Sequence, residues 1–134
     1  MTAVELDTAA RAIPDHLRTL TGVEDLGFAE EVLASYLRAD TLLMEHILTA
    51  HSKGDAATVA KAVHKLKSSS GILGAKSLSY LCVELERNAR AGSVSGTGPL
   101  CDAIAADVQR FHVVAERALE LIREQQHETA SSSE

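Results

Sequence analysis

The residue with the most distinctive chemical surroundings is His64, in the stretch AVHKLKSSSGILGAK at positions 62–76. Small residues follow it closely along the chain: Ser68, Ser69, Ser70, Gly71, Gly74 and Ala75. An exposed neutral imidazole is a good nucleophile near neutral pH and can carry a transferred group on one ring nitrogen. This combination predicts a histidine that takes up a group, with open space around it for a large partner.

Helical spacing places His64 and several small residues on one face. Ser68, Gly71 and Ala75 follow His64 at intervals of four, seven and eleven residues, which share a helical face. This face lies about 140° from the apolar stripe of the same segment, which consists of Val59, Val63, Leu66, Ser70 and Leu73. A glycine inside a helix costs about 1 kcal/mol relative to alanine. Gly71 therefore indicates a docking surface that lets another protein come close to His64.

Positive charge is concentrated around this histidine. All five lysines lie within 24 residues, and the segment from position 56 to 83 contains no Asp or Glu, although the chain has 19 acidic residues and a net charge of −6. Lys67, one helical turn from His64, is placed to neutralise a phosphoryl group on the ring, and Lys61 and Lys65 extend the positive field. A charge run often marks only a solvated face, but its coincidence with His64 favours a functional role. The net acidity argues against nucleic acid as a partner.

The residue pattern does not support other kinds of site. The histidines show no HExxH-like spacing and there is no GxxxxGK[ST] loop, so we expect neither a metal site nor bound ATP. No acidic residue close in sequence orients the His64 ring, and Glu86 is the candidate to do so through the fold. Cys82 and Cys101 are expected to be reduced and structural. No apolar run approaches the length of about 18 residues that a membrane span needs.

The elements that position His64 are predicted to be helices. Hydrophobic residues make up 46% of the chain and aromatic residues only 3%, a balance typical of an aliphatic helical core. Amphipathic periodicity predicts four long helices, over residues 24–52, 56–73 and 76–91 and from Pro99 onwards.

A shorter element precedes these four helices. Pro14 begins a helix that ends at Gly22, and residues 4–13 add a further turn or helix before it. We therefore expect an all-α fold, an antiparallel up-down-up-down four-helix bundle with a short additional N-terminal helix. The bundle is predicted to form one domain over residues 1–127, and residues 128–134 are predicted to be a disordered tail.

The segment from His64 to Ala75 reads H-x-L-K-S-S-S-x-x-L-G-A. It resembles the signature of histidine phosphotransfer (HPt) domains, H-x-L-K-G-S-S-x-x-L-G-A. The preceding KGDAATVAKAVH and the following SLSYLCVELERNARAG are also similar to the family, and the resemblance covers roughly residues 15–125. It implies a four-helix bundle in which His64 is phosphorylated and Lys67 lies beside the phosphoryl group.

The resemblance also implies a function. The chain would be a phosphorelay intermediate whose His64 accepts a phosphoryl group from an aspartate of a response-regulator receiver domain and passes it to, or exchanges it with, another receiver. Magnesium would be bound by the receiver, so this chain would need no cofactor and would have no kinase activity of its own.

The cellular context follows from the same resemblance. The chain would be either a free-standing protein or the C-terminal domain of a hybrid sensor histidine kinase, in which case the parent protein is a kinase. It would be cytoplasmic, or tethered to the inner face of the membrane through that kinase. The domain itself is expected to contact neither nucleic acid nor the membrane.

Two positions depart from the family pattern. Ser68 stands where glycine is usual and adds a hydroxymethyl group to the docking face. Ile72 is apolar where the family often has a polar residue, and it either contacts the partner or packs under a neighbouring helix. The predicted partner-binding residues are Lys61, Lys65, Ser68, Gly71, Ile72 and Ala75.

Three alternatives were weighed against this interpretation. The dimerisation helix of a sensor kinase is excluded, because Lys65 rather than an acidic residue follows His64 and no proline follows until Pro99. A non-catalytic helical adaptor, which binds a receiver or kinase and whose histidine is incidental, remains the main alternative. A small hydrolase that uses His64 as a general base is the other.

Overall fold

The computed structural model describes the backbone of residues 1–132 and the side chains of residues 1–130. Within this range the chain is all-helical and contains no strand. The helices are α1 (Ala3–Thr21), α2 (Leu26–Ser52), α3 (Ala56–Ile72), α4 (Lys76–Arg90) and α5 (Gly98–Ser132). None of these helices, over the part that the structure describes, is both long and apolar enough to cross a bilayer.

Helices α2 to α5 form an antiparallel four-helix bundle, which confirms the predicted architecture. Each of them packs against the next one along the chain, and α5 closes the bundle against α2. Pairs of residues across α3 and α4 show their relative direction, because His64 contacts Glu86 whereas Gly71 lies opposite Ser79. Residue numbers rise along one helix as they fall along the other, so the two helices run antiparallel. They are the most extensively packed pair in the fold.

Helix α1 is longer than the short N-terminal helix that the sequence indicated. It is one continuous helix of 19 residues with Pro14 inside it, and it begins at a capping box formed by Thr2 and Glu5. Pro14 removes one backbone hydrogen bond from the helix. The buried side chains of Ile13 and Leu17 pack against α2 and α5, and this burial offsets the loss.

The C-terminal helix also differs from the sequence-based expectation. Helix α5 continues through Ser132, so residues 128–132 of the predicted disordered tail are helical. Positions 133 and 134 lie outside the described residues. The predicted domain boundary at residue 127 stays a prediction.

Helix α3, which carries His64, begins and ends at residues that define its limits. The Asp55 carboxylate accepts hydrogen bonds from the backbone N–H and the hydroxyl of Thr58, at 3.2 and 2.6 Å, and so caps the first turn. The turn after the helix contains Gly74, whose φ of 85° is readily adopted only by glycine. A Cβ at Gly74 would lie 3.0 Å from Cγ of His16, so a larger residue would also crowd the His16 side chain of α1.

The core is aliphatic, as the composition indicated, but it includes a fully buried carboxylate. The side chain of Asp40 on α2 is 0% exposed, and its Oδ2 lies 2.7 Å from Nδ1 of His112 on α5. The backbone N–H of Thr41 donates to its other oxygen at 2.8 Å. Glu116 lies on the outer side of the same ring, 3.6 Å from Nε2. The pair formed by Asp40 and His112 therefore ties α2 to α5 through the interior.

Replacing His112 with alanine should lower the free energy of unfolding by about 3 kcal/mol, because the change leaves a buried carboxylate without its main partner. Glu116→Ala removes an exposed carboxylate beside the same ring and should change the free energy by less than about 0.5 kcal/mol. Urea unfolding at pH 7, followed by circular dichroism, measures both variants. Losses of equal size would show that the buried pair does not stabilise the bundle.

Candidate functional site

His64 lies at the contact between α3 and α4, where it meets a carboxylate. Its side chain is 52% exposed, and its Nδ1 lies 3.1 Å from Oε2 of Glu86. Lys67, one turn further along α3, donates to Oε1 of Glu86 at 2.7 Å. Glu86 is 22 residues away from His64 in the sequence. The antiparallel packing of α3 and α4 thus brings together the residues that the sequence singled out for group transfer, phosphoryl stabilisation and ring orientation.

Glu86 is ionised although it is buried. Only 8% of its side chain is exposed, and burial by itself raises the pKa of a carboxyl group. Hydrogen bonds from Lys67 and Arg90, the charge of Lys67 and the hydrogen bond with His64 outweigh burial and lower the pKa of Glu86 to about 2. The side chain is therefore a carboxylate near neutral pH.

An ionised Glu86 determines which nitrogen of His64 carries the proton. A carboxylate only accepts hydrogen bonds, so the Nδ1 that faces it must carry the hydrogen. In the neutral ring the lone pair is then on Nε2. This nitrogen has no hydrogen-bond partner among the described residues. The nucleophilic atom of the site is therefore Nε2.

Arg90 belongs to the site, and the sequence analysis missed it. Its Nε and Nη2 lie 2.7 and 2.6 Å from Oε2 of Glu86. The two residues are four apart on α4, a spacing that favours ion pairs on a helix and was visible in the sequence. The Arg90 side chain is 62% exposed, so it adds positive charge at the edge of the site.

This arrangement suits nucleophilic transfer of an anionic group. It offers a lone pair on Nε2 of His64, a carboxylate that holds the opposite ring nitrogen, and two cations, Lys67 and Arg90, beside them. Cations so placed favour an acceptor of phosphoryl groups. No group of three or more potential metal-ligating side chains converges anywhere in the part of the chain that the structure describes.

Most of the predicted partner-binding residues lie at the surface of α3. Lys61, Lys65 and Ser68 are exposed, and Ile72 is 41% exposed. The hydroxyl of Ser68 donates to the backbone carbonyl of His64 at 3.1 Å, so it is held against its own helix. Ile72 lies at a groove of about 380 Å³ between α2 and α3, together with Phe28, Val32 and Tyr36 of α2.

The prediction for Ala75 is wrong. Ala75 is only 8% exposed and packs in the core of the bundle. Helix α3 ends at Ile72, and the turn at Gly74 redirects the chain before Ala75 is reached. The periodicity of α3 therefore no longer applies at this position, and Ala75 cannot share the face of His64.

Gly71 faces the neighbouring helix more than it faces solvent. A Cβ at this position would lie 3.4 Å from Oγ of Ser79 on α4. The carbonyl oxygen of Gly71 also accepts a hydrogen bond from Nε2 of His16 on α1, at 3.2 Å. A Cβ at Gly71 would therefore make an ordinary van der Waals contact with α4, and a contact of Gly71 with a partner stays a prediction.

Glu86 should stabilise the fold in a way that depends on pH. Its folded pKa of about 2 lies below its ordinary value of 4.5, so its contribution is fully present above about pH 5 and is lost as the pH falls towards 2. Glu86→Gln should therefore lower the free energy of unfolding by roughly 2 kcal/mol at pH 7. The difference from the wild type should be much smaller at pH 2.5. Urea unfolding at several pH values measures it, and a difference that stays constant down to pH 2.5 would contradict the assignment.

The Hpt domain family model matches residues 28–129 of the chain. The match runs from the start of α2 into the last turns of α5 and includes the whole site, whereas α1 lies outside it. Neither the curated proteins nor the solved structures contain a match to the chain. Because the family match covers more than half of the sequence, the chain belongs to the Hpt domain family, whose members carry out histidine phosphotransfer in two-component phosphorelays and interact with receiver domains.

Proposed function

We propose that this protein is a phosphorelay intermediate in which Nε2 of His64 takes a phosphoryl group from a receiver aspartate and passes it to another receiver. One observation carries this proposal: the ionised Glu86 binds the Nδ1–H of an imidazole that is 52% exposed, so the lone pair is on Nε2. Membership of the Hpt family supports a histidine as the acceptor and receiver domains as the partners.

Neither direction of transfer needs a proton to move. In acceptance, the lone pair of Nε2 attacks the phosphorus of the aspartyl phosphate, and the P–O bond breaks to release the aspartate carboxylate with the electron pair. The phosphorylated ring is then cationic and keeps its proton on Nδ1. In the return step a receiver carboxylate attacks the phosphorus, and the electron pair of the P–N bond goes back to Nε2. Glu86 stabilises the cationic ring in both directions.

Lys67 stabilises the phosphoryl oxygens in this proposal. Its ammonium group donates to Glu86 at 2.7 Å, and its side chain is 29% exposed. An ammonium group has three donors on a flexible stem, so Lys67 can keep its bond to Glu86 while another N–H turns towards a phosphoryl group on His64. The same carboxylate thus serves both residues.

The receiver docks on the exposed part of α3. Lys61 and Lys65 supply positive charge there, Ser68 is the small residue one turn from the ring, and Ile72 supplies an apolar contact at the groove beside α2. The positive charge of these lysines around the nucleophile favours a partner whose active-site pocket is acidic. This arrangement fits a carboxylate-rich pocket that binds a divalent cation.

Magnesium is held by the receiver rather than by this chain. Glu86 is the carboxylate beside His64, and its oxygens are already bonded to Lys67, Arg90 and His64, which leaves little capacity for a cation. This chain then needs no cofactor and acts without kinase activity of its own. It operates on the cytoplasmic side, where it is free-standing or the C-terminal domain of a hybrid sensor kinase.

His64→Gln should abolish uptake of a phosphoryl group, with a loss of more than about 100-fold, because it removes the proposed nucleophile. The experiment incubates a radiolabelled phosphorylated receiver with the full chain and follows acid-labile label on the protein. His46→Gln, which changes an exposed histidine of α2, serves as the control and should label like the wild type. Acid-labile phosphate on His64→Gln would refute the assignment.

The same assay separates the adaptor alternative from phosphotransfer. An adaptor bundle would bind the receiver with measurable affinity and take up no label in either the wild type or the variants. Binding without labelling of the wild-type chain would therefore support the adaptor.

Ser68→Gln should weaken receiver binding more than tenfold, about 1.4 kcal/mol, because a longer side chain then stands one turn from the ring. The fold should be unaffected, since glutamine is a good helix former and the position is exposed. Ala106→Gln is the matched control, because it adds the same side chain at an exposed site of α5, a helix that packs mainly against α1, α2 and α4. Titration calorimetry measures the receiver affinity of both variants, and thermal melts measure their stability. Equal affinities for both variants would place the docking surface elsewhere.

A further inference from the structure

The two oxygens of Glu86 have different partners. Oε1 accepts from Lys67 at 2.7 Å. Oε2 is hydrogen-bonded to Nε of Arg90 at 2.7 Å and to Nδ1 of His64 at 3.1 Å, and Nη2 of Arg90 lies 2.6 Å from the same oxygen as part of the ion pair. The hydrogen bond to His64 is the longer of the two. Arg90 therefore competes with His64 for one oxygen, whereas Lys67 does not.

Competition at one oxygen weakens the bond that the ring receives. An acceptor that already neutralises a guanidinium group offers less negative charge to a further donor. We infer that Arg90 is a positioning residue that limits how strongly Glu86 holds the Nδ1–H of His64, and that it thereby sets the pH range in which phosphorylated His64 is a good phosphoryl donor. This inference rests on the proposed role of His64 and deepens it.

The chemistry of the leaving group links this bond to the reaction. When the phosphorylated ring keeps its Nδ1 proton, breaking the P–N bond releases a neutral imidazole. When that proton is lost, the same step must release an imidazolide anion, which is a far poorer leaving group. A free Glu86 raises the pH at which the proton is lost, because an opposite charge favours the cationic ring. Arg90 lowers that pH again.

The other charged groups on this face form no direct hydrogen bond or ion pair with Oε2 within the described residues. Lys67 bonds to Oε1, and Lys61 and Lys65 are exposed on α3. Arg87 on α4 pairs with Glu84, at 3.5 Å, and not with Glu86. Arg87 therefore provides a cation on the same helix that lacks the proposed contact.

The groups that approach from the interior bring no further cation that pairs with Glu86. Burial raises the pKa of the Cys82 thiol to about 12, so this neighbour is neutral. Asp107 of α5 and Tyr36 of α2 interact electrostatically with Cys82, and neither forms an ion pair with Glu86. From α1, His16 bonds to the carbonyl of Gly71. The hydrogen bonds that compete for Oε2 are thus those from Arg90 and His64.

The first test follows the ring signals of His64 by NMR in the unphosphorylated full chain as the pH is varied. In Arg90→Met, which keeps the length of the side chain and removes its donors, the midpoint should move upwards by about half to one pH unit. Arg87→Met removes the same charge from the same helix without the contact, and it should move the midpoint by less than half as much. Equal shifts in the two variants, or none in Arg90→Met, would overturn the inference.

A double-mutant cycle shows whether Arg90 acts through Glu86. The amide oxygen of glutamine at position 86 can still accept a hydrogen bond from Nδ1–H of His64. The amide is neutral, however, so it forms no ion pair with Arg90. Arg90→Met in the Glu86→Gln background should therefore leave the midpoint of His64 unchanged. If the full shift persists in that background, Arg90 acts on the ring directly by its charge, and the inference fails.

The second readout is transfer from phosphorylated His64 to a receiver at several pH values. Arg90→Met should retain donor activity to a pH about half to one unit higher than the wild type, a shift equal to that of the NMR midpoint. The pH range of Arg90→Lys should lie between those of Arg90→Met and the wild type. An unchanged profile would overturn the inference and leave the proposed function intact. The proposed function itself fails if the wild-type chain takes up no label or if His64→Gln is phosphorylated, so the two failures are distinguishable.

Discussion

The site depends on one buried carboxylate that is kept ionised. Glu86 is 8% exposed, yet hydrogen bonds from Lys67, Arg90 and His64 keep its pKa near 2. A neutral glutamic acid could donate its proton to Nδ1 and direct the lone pair to the wrong nitrogen. The cations that ionise Glu86 therefore also select the tautomer of His64. Tautomer choice, charge balance and the stability of the α3–α4 contact all derive from this group.

The close packing of α3 against α4 makes the contact possible. Gly71 lies opposite Ser79 of α4, and Gly74 turns the chain so that α4 returns antiparallel to α3. His16 of α1 bonds to the carbonyl of Gly71 and packs against Gly74. An element outside the family match thus supports the end of the helix that carries His64. Gly74, near the histidine in sequence, consequently has a structural role.

A second pair of histidine and carboxylate differs from the first in the charges that surround it. His112 also faces a buried carboxylate, Asp40, through Nδ1. Its other nitrogen lies 3.6 Å from Glu116, however, and none of the ion pairs within the described residues brings a lysine or arginine to either carboxylate. An anionic phosphoryl group would be repelled there, whereas Lys67 and Arg90 would attract it at His64. The surrounding charges, rather than the pairing of histidine with carboxylate, distinguish the two sites.

The sequence by itself determined the helical class and the four long helices and singled out His64 and Lys67 as candidates, because these follow from local periodicity and from a contiguous motif. Glu86 was named only as a candidate, since no local rule states which carboxylate a fold brings to a ring 22 residues away. The tertiary structure alone decided that Arg90 shares its oxygen, that Ala75 is buried and that Asp40 pairs with His112. The helical periodicity of α3 no longer predicts which face a residue occupies beyond the turn at Gly74. Contacts between helices depend on their register and on the distance between them. Both are set by the packing of the whole bundle.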